Sequence, residues 1–191
     1  MNDLIIRRSL LRRLADDFAG DPSLIVSEFD LCQGRVRADV VVVNGHLHGY
    51  EIKSAVDSLG RLPIQVEAYN KVLDYLTIVT CPNHLAGVRA QVPRWWGILV
   101  VQSRNGVLHW REVRTARLNA CVERYALAQL LWRQEALALL TEFGVDRGVK
   151  SSPRRVLWQA LARQLDRQLL NQCVRDRIKL RQGWRADALR T

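Results

Sequence analysis

The sequence predicts a mixed α+β fold, in which helices flank one mixed β-sheet and a basic α-helical extension follows at the C-terminus. Two patterns carry this. Short β-branched runs alternate with helical patterns between residues 23 and 113, and from about residue 120 leucines recur at helical spacing. The composition, 48% hydrophobic and 25% charged over 191 residues, is that of a globular chain able to bury a sizeable core.

Residues 3–18 read as an amphipathic helix, with Leu4, Leu10, Leu11, Leu14 and Phe18 inward and Arg8, Arg12 and Asp16 outward; "GDP" at 20–22 ends it. Three β-type runs follow, at 23–31, 35–43 and 46–53. They are separated by Gln33-Gly34 and Asn44-Gly45, the turn chemistry of an antiparallel meander. Pro63 suits the first turn of a helix running to about Asp74. "YLTIVT" at 75–80 is the short apolar run of a strand buried on both faces. "CPNHLAGVRAQ" holds a short helix, and "WGILVVQS" and "VLHWREV" flank the turn "RNG" as a second hairpin.

Residues 1–115 thus form the α+β core and residues 116–191 a basic helical region. In the latter Leu127, Leu130, Leu131, Leu137 and Leu140 share a helical spacing, and Ser152-Pro153 starts the next helix. The apolar pattern continues to Gly183 with a break near Asp166, and Trp132 and Trp158 fall at core positions.

No apolar stretch reaches the roughly 20 residues of a membrane span, and the N-terminal arginines follow the apolar residues rather than precede them. A soluble, cytoplasmic protein is expected. Cys32, Cys81, Cys121 and Cys173 are scattered without a CxxC pair, which points away from zinc and disulfides. His46 and His48 lack a third ligand and read as hairpin-surface residues. The net charge of +10 suggests a polyanionic partner. Residues 1–110 carry 12 Lys+Arg against 11 Asp+Glu, whereas residues 111–191 carry 17 against 8, so the excess is C-terminal and mostly arginine, the residue that pairs bidentately with phosphate.

The stretch "HGYEIKS" at 48–54 puts Glu51 and Lys53 two positions apart in an apolar strand. Alone, this is an amphipathic strand with two charges in water. Asp39 opens "DVVVV" on the preceding strand, where an unpaired acid is costly. A three-residue Val43–Gly45 loop sets Asp39 opposite Gly49 and diagonal to Glu51 on one face. Two carboxylates beside an ammonium suit a Mg²⁺ ion that polarises a phosphodiester, with Lys53 orienting the attacking water. Glu28 either adds an oxygen ligand or pairs with Arg35 or Arg37. Arg61, Gln65 and Tyr69 stack at i, i+4 and i+8 on the next helix, suited to phosphate or base contacts, and Tyr69 reads equally well as a core ring.

Asp39 followed by Glu51-Ile52-Lys53, with Gln65-xxx-Tyr69 on the following helix, resembles the PD-(D/E)XK, restriction-endonuclease-like nucleases of RecB type. The longer string "RAD…NGxLxGYEIKS…RLxxQxxxY" resembles a small prokaryotic and phage branch of them. Ala38 stands where the family name has proline. The resemblance covers about the first 60% of the chain and implies a Mg²⁺-dependent endonuclease, a hydrolase of DNA in preference to RNA, with Mn²⁺ able to substitute. It implies Asp39, Glu51 and Glu28, with Ile52, as metal ligands, Lys53, Gln65 and Tyr69 as catalytic helpers, and Arg61 as a nucleic-acid contact. Lys150, Arg154 and Arg155, at the start of a helix, are further phosphate contacts expected from charge. The alternative is a non-catalytic nucleic-acid-binding or regulatory module on a similar fold. The sequence is also compatible with a homo-oligomer and with a protein partner on the C-terminal helices.

Overall fold

The computed structural model describes residues 2–181. Helix α1 (Asp3–Asp17) precedes the meander β1 (Leu24–Leu31), β2 (Val36–Val43) and β3 (Leu47–Lys53). Helix α2 (Leu62–Asn70) crosses to β4 (Tyr75–Thr80), and a 3₁₀ turn (Pro82–His84) with α3 (Leu85–Gln91) crosses to β5 (Gly97–Arg104), which is paired with β6 (Val107–Arg114). Helices α4 (Arg124–Ala128), α5 (Arg133–Glu142), α6 (Arg154–Gln164) and α7 (Arg167–Leu180) complete the described chain. The expected end of the last helical pattern, Gly183, lies outside the described residues.

The six strands lie in sequence order in one mixed sheet. Pairs β1–β2, β2–β3 and β5–β6 are antiparallel, and β3–β4 and β4–β5 are parallel. Parallel neighbours need a crossover, which α2 and α3 supply. Leu76, Ile78 and Val79 of central β4 are accordingly fully buried. The two-residue turn Asn105-Gly106 closes β5–β6 with both residues at positive φ, 50° and 78°, as a twisted hairpin demands.

Each sheet face has its own apolar layer. On one, Ile6, Leu10 and Leu14 of α1 pack on Val40, Val42, Tyr50 and Ile52. On the other, Leu62, Tyr69 and Leu73 cover Val41, Val43, Leu76 and Ile78, and the same cluster runs on through Leu127, Leu140, Trp158, Leu161 and Val174. Leu4, expected inward, is 53% exposed, because the i, i+4, i+8 row of Ile6, Leu10 and Leu14 sets the buried stripe of α1. Trp158 is buried as expected. Trp132 is not: it caps the start of α5 on the surface, with the Arg181 guanidinium 4.5 Å over its ring.

The β2–β3 loop has three residues, as expected, but they are 44–46: Val43 pairs with Leu47 and Val40 with Tyr50. The Asn44 side chain accepts from the His46 amide and moves the loop one residue along. Continuing the register by one pair sets Asp39 directly beside Glu51. Across β1–β2 the ladder pairs Ser27 with Val40 and Phe29 with Ala38, so Glu28 faces Asp39 between them. Glu28 has φ 55°, and the apolar alternation of both strands slips there, from Val26 to Phe29 and from Ala38 to Val41.

Two buried polar residues join the sheet to the C-terminal helices. Asp74 accepts from the Leu47 amide at 2.8 Å and from Asn171 of α7 at 2.7 Å. The Asn119 amide donates to Asn70 O and Leu73 O and accepts from the Cys121 amide. Asn119→Ala strands the buried Leu73 carbonyl and the half-buried Asn70 carbonyl, so a stability loss of about 2–3 kcal/mol in urea titration is expected; a loss under about 0.5 kcal/mol would show that the junction does not depend on it.

Candidate functional site

Glu28, Asp39 and Glu51 come from adjacent strands and line one cleft at the sheet end, together with Arg7, Lys53 and Gln65. The deviant backbone at Glu28 and the slip at Asp39 turn these acids out of the regular alternation. Arg7, one residue after the buried Ile6 of α1, reaches into the space. Its guanidinium bonds Glu28, Asp39 at 2.7 Å and Asp3 at 3.0 Å. Arg37 takes the other oxygen of Glu28 at 2.6 Å. The second oxygen of Asp39 accepts the Ile52 amide at 2.7 Å, in the place of a ladder bond.

Glu51 is 3% exposed and fully engaged. Its Oε1 accepts from Lys53 Nζ and Gln65 Nε2, both at 2.6 Å, and its Oε2 accepts from the Tyr69 hydroxyl at 2.6 Å. Gln65 and Tyr69 reach it because they are one turn apart on the buried side of α2. Tyr69 is both things the sequence allowed: a fully buried ring and a hydroxyl aimed at the cleft.

Burial, then the charge of Glu51, push Asp39 up to about 7 against the opposing pull of the Ile52 amide and Arg7. Burial also works against the charge of Glu28, but Arg7 and Arg37 outweigh it and hold this carboxyl below its ordinary value. Burial, then Glu51, push the Tyr69 hydroxyl far up, so it stays a donor.

The expected Mg²⁺ ligands are therefore already committed. Arg7 stands among the carboxylates where a cation was anticipated, and Ile52 offers Asp39 its N–H. Among the described residues no group of three or more His, Cys, Asp or Glu is arranged to hold a metal ion. The donor set does not fit an oxygen-coordinated Mg²⁺ as it stands.

The expected nucleic-acid contacts are dispersed. Arg61 sits at the start of α2 on the cleft rim. Lys150 pairs with Asp146 at 3.0 Å. Arg154 lies 5.2 Å over the Trp158 ring, and Arg155 is exposed beside it.

A basic cluster that the sequence did not reveal lies elsewhere. Arg114 of β6 donates to Trp96 O at 2.6 Å and Pro93 O at 2.9 Å, and the Arg117 amide donates to Trp95 O at 2.7 Å. These bonds gather Arg94, Arg114 and Arg117 at one sheet end, with Arg89 of α3 beside them. Burial, then the charges of Arg89, Arg117 and Arg94, lower the Arg114 pKa. Among the described residues no carboxylate forms an ion pair with any of the four. Arginines spaced across residues 89–117 were the available signal, but only the tertiary bonds bring them together.

The chain matches, over residues 2–190, the family model described as bacteriophage P4 protein cII. It belongs to the bacteriophage P4 cII family. Protein cII of Enterobacteria phage P4 is 28% identical over 121 residues, which are 63% of this chain and 46% of that protein, so the chain spans about half the length of this curated relative. A protein of unknown function from Silicibacter pomeroyi is similar at 19% identity and TM-score 0.44, covering 76% of this chain and 93% of the other.

Membership of the P4 cII family overturns the PD-(D/E)XK resemblance and, with it, the reading as a metal-dependent endonuclease or any other hydrolase. The physical reason the motif misled is that its charges serve one another. Asp39, Glu51 and Lys53 do meet, but inside a network closed by Arg7, Gln65 and Tyr69.

Arg7→Ala leaves Glu28 and Asp39 without their shared cation. A destabilisation of about 2–3 kcal/mol is expected by urea titration, below the range of fully buried pairs because 15–24% of these side chains stays exposed. A carboxyl that keeps its proton to about 7 when folded, against about 4 unfolded, stabilises most at low pH and loses that contribution as pH rises from about 4 through about 7. Asp39→Asn should flatten the decline of the urea midpoint between these values; an unchanged decline would exclude Asp39 as its source.

Proposed function

We propose that the chain is a non-catalytic nucleic-acid-binding module that regulates by occupying its target, DNA in preference to RNA, rather than by cutting it. The single observation that carries this is the group Arg94, Arg114 and Arg117, gathered by bonds to the main-chain carbonyls of residues 93, 95 and 96 with the charge of Arg89 nearby, and left without an ion-pairing carboxylate among the described residues. Like charges brought together are self-repulsive, and a polyanion relieves that repulsion while releasing its own counter-ions. Guanidinium groups suit phosphate because they bond it bidentately.

The reading also agrees with a net charge of +10. No helix among the described residues is long and apolar enough to cross a membrane. Contacts of this kind position a strand and carry no sequence information by themselves.

Fluorescence anisotropy with labelled duplex and single-stranded oligonucleotides across a salt series tests it. Affinity should fall steeply with salt, and Arg94→Ala/Arg117→Ala should reduce the log–log slope by about two. An unchanged slope in this double variant, or no salt-dependent binding by the parent protein, would reject the reading.

A further inference from the structure

A cleft of about 420 Å³ opens beside the arginine cluster, on the sheet face that α1 covers, and Arg114 belongs to both. Its size is within the range of small-molecule and base pockets. One wall is a run of four rings. His46 meets Tyr75 edge-on with centroids 5.0 Å apart, Tyr75 lies 5.7 Å from His48, and His48 stacks on Tyr50 at 4.5 Å with 18° between the planes. Phe18 supplies apolar surface above the buried Leu10, Leu14 and Leu99, and Asp17 and Glu112 put carboxylates among the lining.

The ring wall is held by its own bonds. His48 Nε2 lies 2.9 Å from Thr77 Oγ1, and its Nδ1 lies 3.5 Å from the Tyr50 hydroxyl. Burial, then the charge of His46, lower His48 to about 4, so the imidazole is neutral at physiological pH and presents an uncharged π-face. The carboxylate network lies elsewhere, and the apolar layer of Leu10, Leu14, Tyr50 and Leu99 forms the floor of this opening without filling it. A core would fill it, and a metal site would not line it with stacked rings.

We propose that this cleft is a nucleobase pocket that takes one unpaired planar base, while Arg114 and the arginines next to it hold the adjoining phosphates. Flat heterocycles stack on such rings irrespective of sequence, and a base must leave its duplex stack to enter. Asp17 and Glu112 are acceptors, which favours bases carrying an exocyclic amine. The base comes either from an unpaired nucleotide of a strand or from a free nucleotide; the chemistry recognised is the same. This rests on the nucleic-acid reading, with the arginine cluster as its phosphate-binding half.

The probe is 2-aminopurine, whose emission is quenched on stacking, placed in a short single strand, in the same strand as a duplex, and as the free monophosphate. A matching single strand with an abasic site at that position isolates the base. The single strand should be quenched and bind about tenfold tighter than the abasic strand. The duplex should show little quenching beyond its own. Tyr75→Ala and His46→Ala should each erase the difference between base and abasic strands without altering the salt slope. His46 is exposed in the β2–β3 loop, so its replacement tests the wall even where Tyr75→Ala fails to fold.

Equal binding of base-containing and abasic strands, with normal salt dependence and no quenching, overturns the pocket and leaves the arginine surface standing. Failure of every strand to bind overturns the nucleic-acid reading, and the free monophosphate then decides the pocket: quenching that His46→Ala abolishes supports it as a nucleotide site, and its absence overturns it.

Discussion

Two acidic side chains facing one another on adjacent strands, Glu28 and Asp39, can be withdrawn from water only if something cationic comes with them, and in this fold that something is Arg7. The guanidinium bonds Asp3 on its own helix, Glu28 on β1 and Asp39 on β2. It thereby fixes α1 against the sheet, next to the Ile6–Leu10–Leu14 stripe, and makes the interruption of both strands tolerable. A positive φ at Glu28 costs about 1–3 kcal/mol unless the surroundings over-determine it. Two arginines on one carboxylate do so. The cleft is a consequence of the ion pairing: the strands diverge from regular pleating where their charges are held apart from the apolar layers.

That arrangement explains why a short motif points to the wrong chemistry. A string shows which charges lie near one another in sequence but not which of them neutralise one another. Lys53 and Glu51 two positions apart read as a water-orienting ammonium and a metal ligand; in space they are a buried pair at 2.6 Å, completed by an amide and a phenol. A network with every carboxylate oxygen occupied gives rigidity and register. The same donors that make Glu51 tolerable in the core keep it from acting as a free carboxylate. The match to the P4 cII family over residues 2–190 points the same way as the local geometry.

Elements governed by local rules were legible in the sequence. β4 was read at 75–80, the strands around the Asn-Gly turns were placed within a residue, and Asp166 does start a new helix by capping the Leu169 amide. What was missed depends on contacts distant along the chain. Leu4 and Ile6 are equally apolar, and only the phase of packing on β2 and β3 selects Ile6. Trp132 is as large as Trp158, but it stands at a helix start with Arg181 above it. The halves of the chain also misassign the charge. Several C-terminal cations, Arg124, Arg133, Arg167 and Lys179 among them, donate to main-chain carbonyls and hold loops in place, whereas two of the four clustered arginines come from the half whose charges nearly cancel.

The two clusters solve opposite electrostatic problems. At Arg7 the charges are largely withdrawn from water, and attraction between opposite signs repays much of the desolvation; the site is closed because opening it exposes a deficit. At Arg114 the charges are alike and mostly exposed, and the guanidinium is fixed by neutral carbonyls that hold its position without cancelling its charge. Water and salt screen that repulsion but leave it uncompensated. A protein that needed only stability would place a carboxylate among these arginines, as it does at Arg7, Arg177 and Arg181. Its absence from the described contacts leaves a surface whose favourable state includes an anion from outside. On the proposed reading, the arginines rather than the buried acids are therefore where this fold would meet a polyanion.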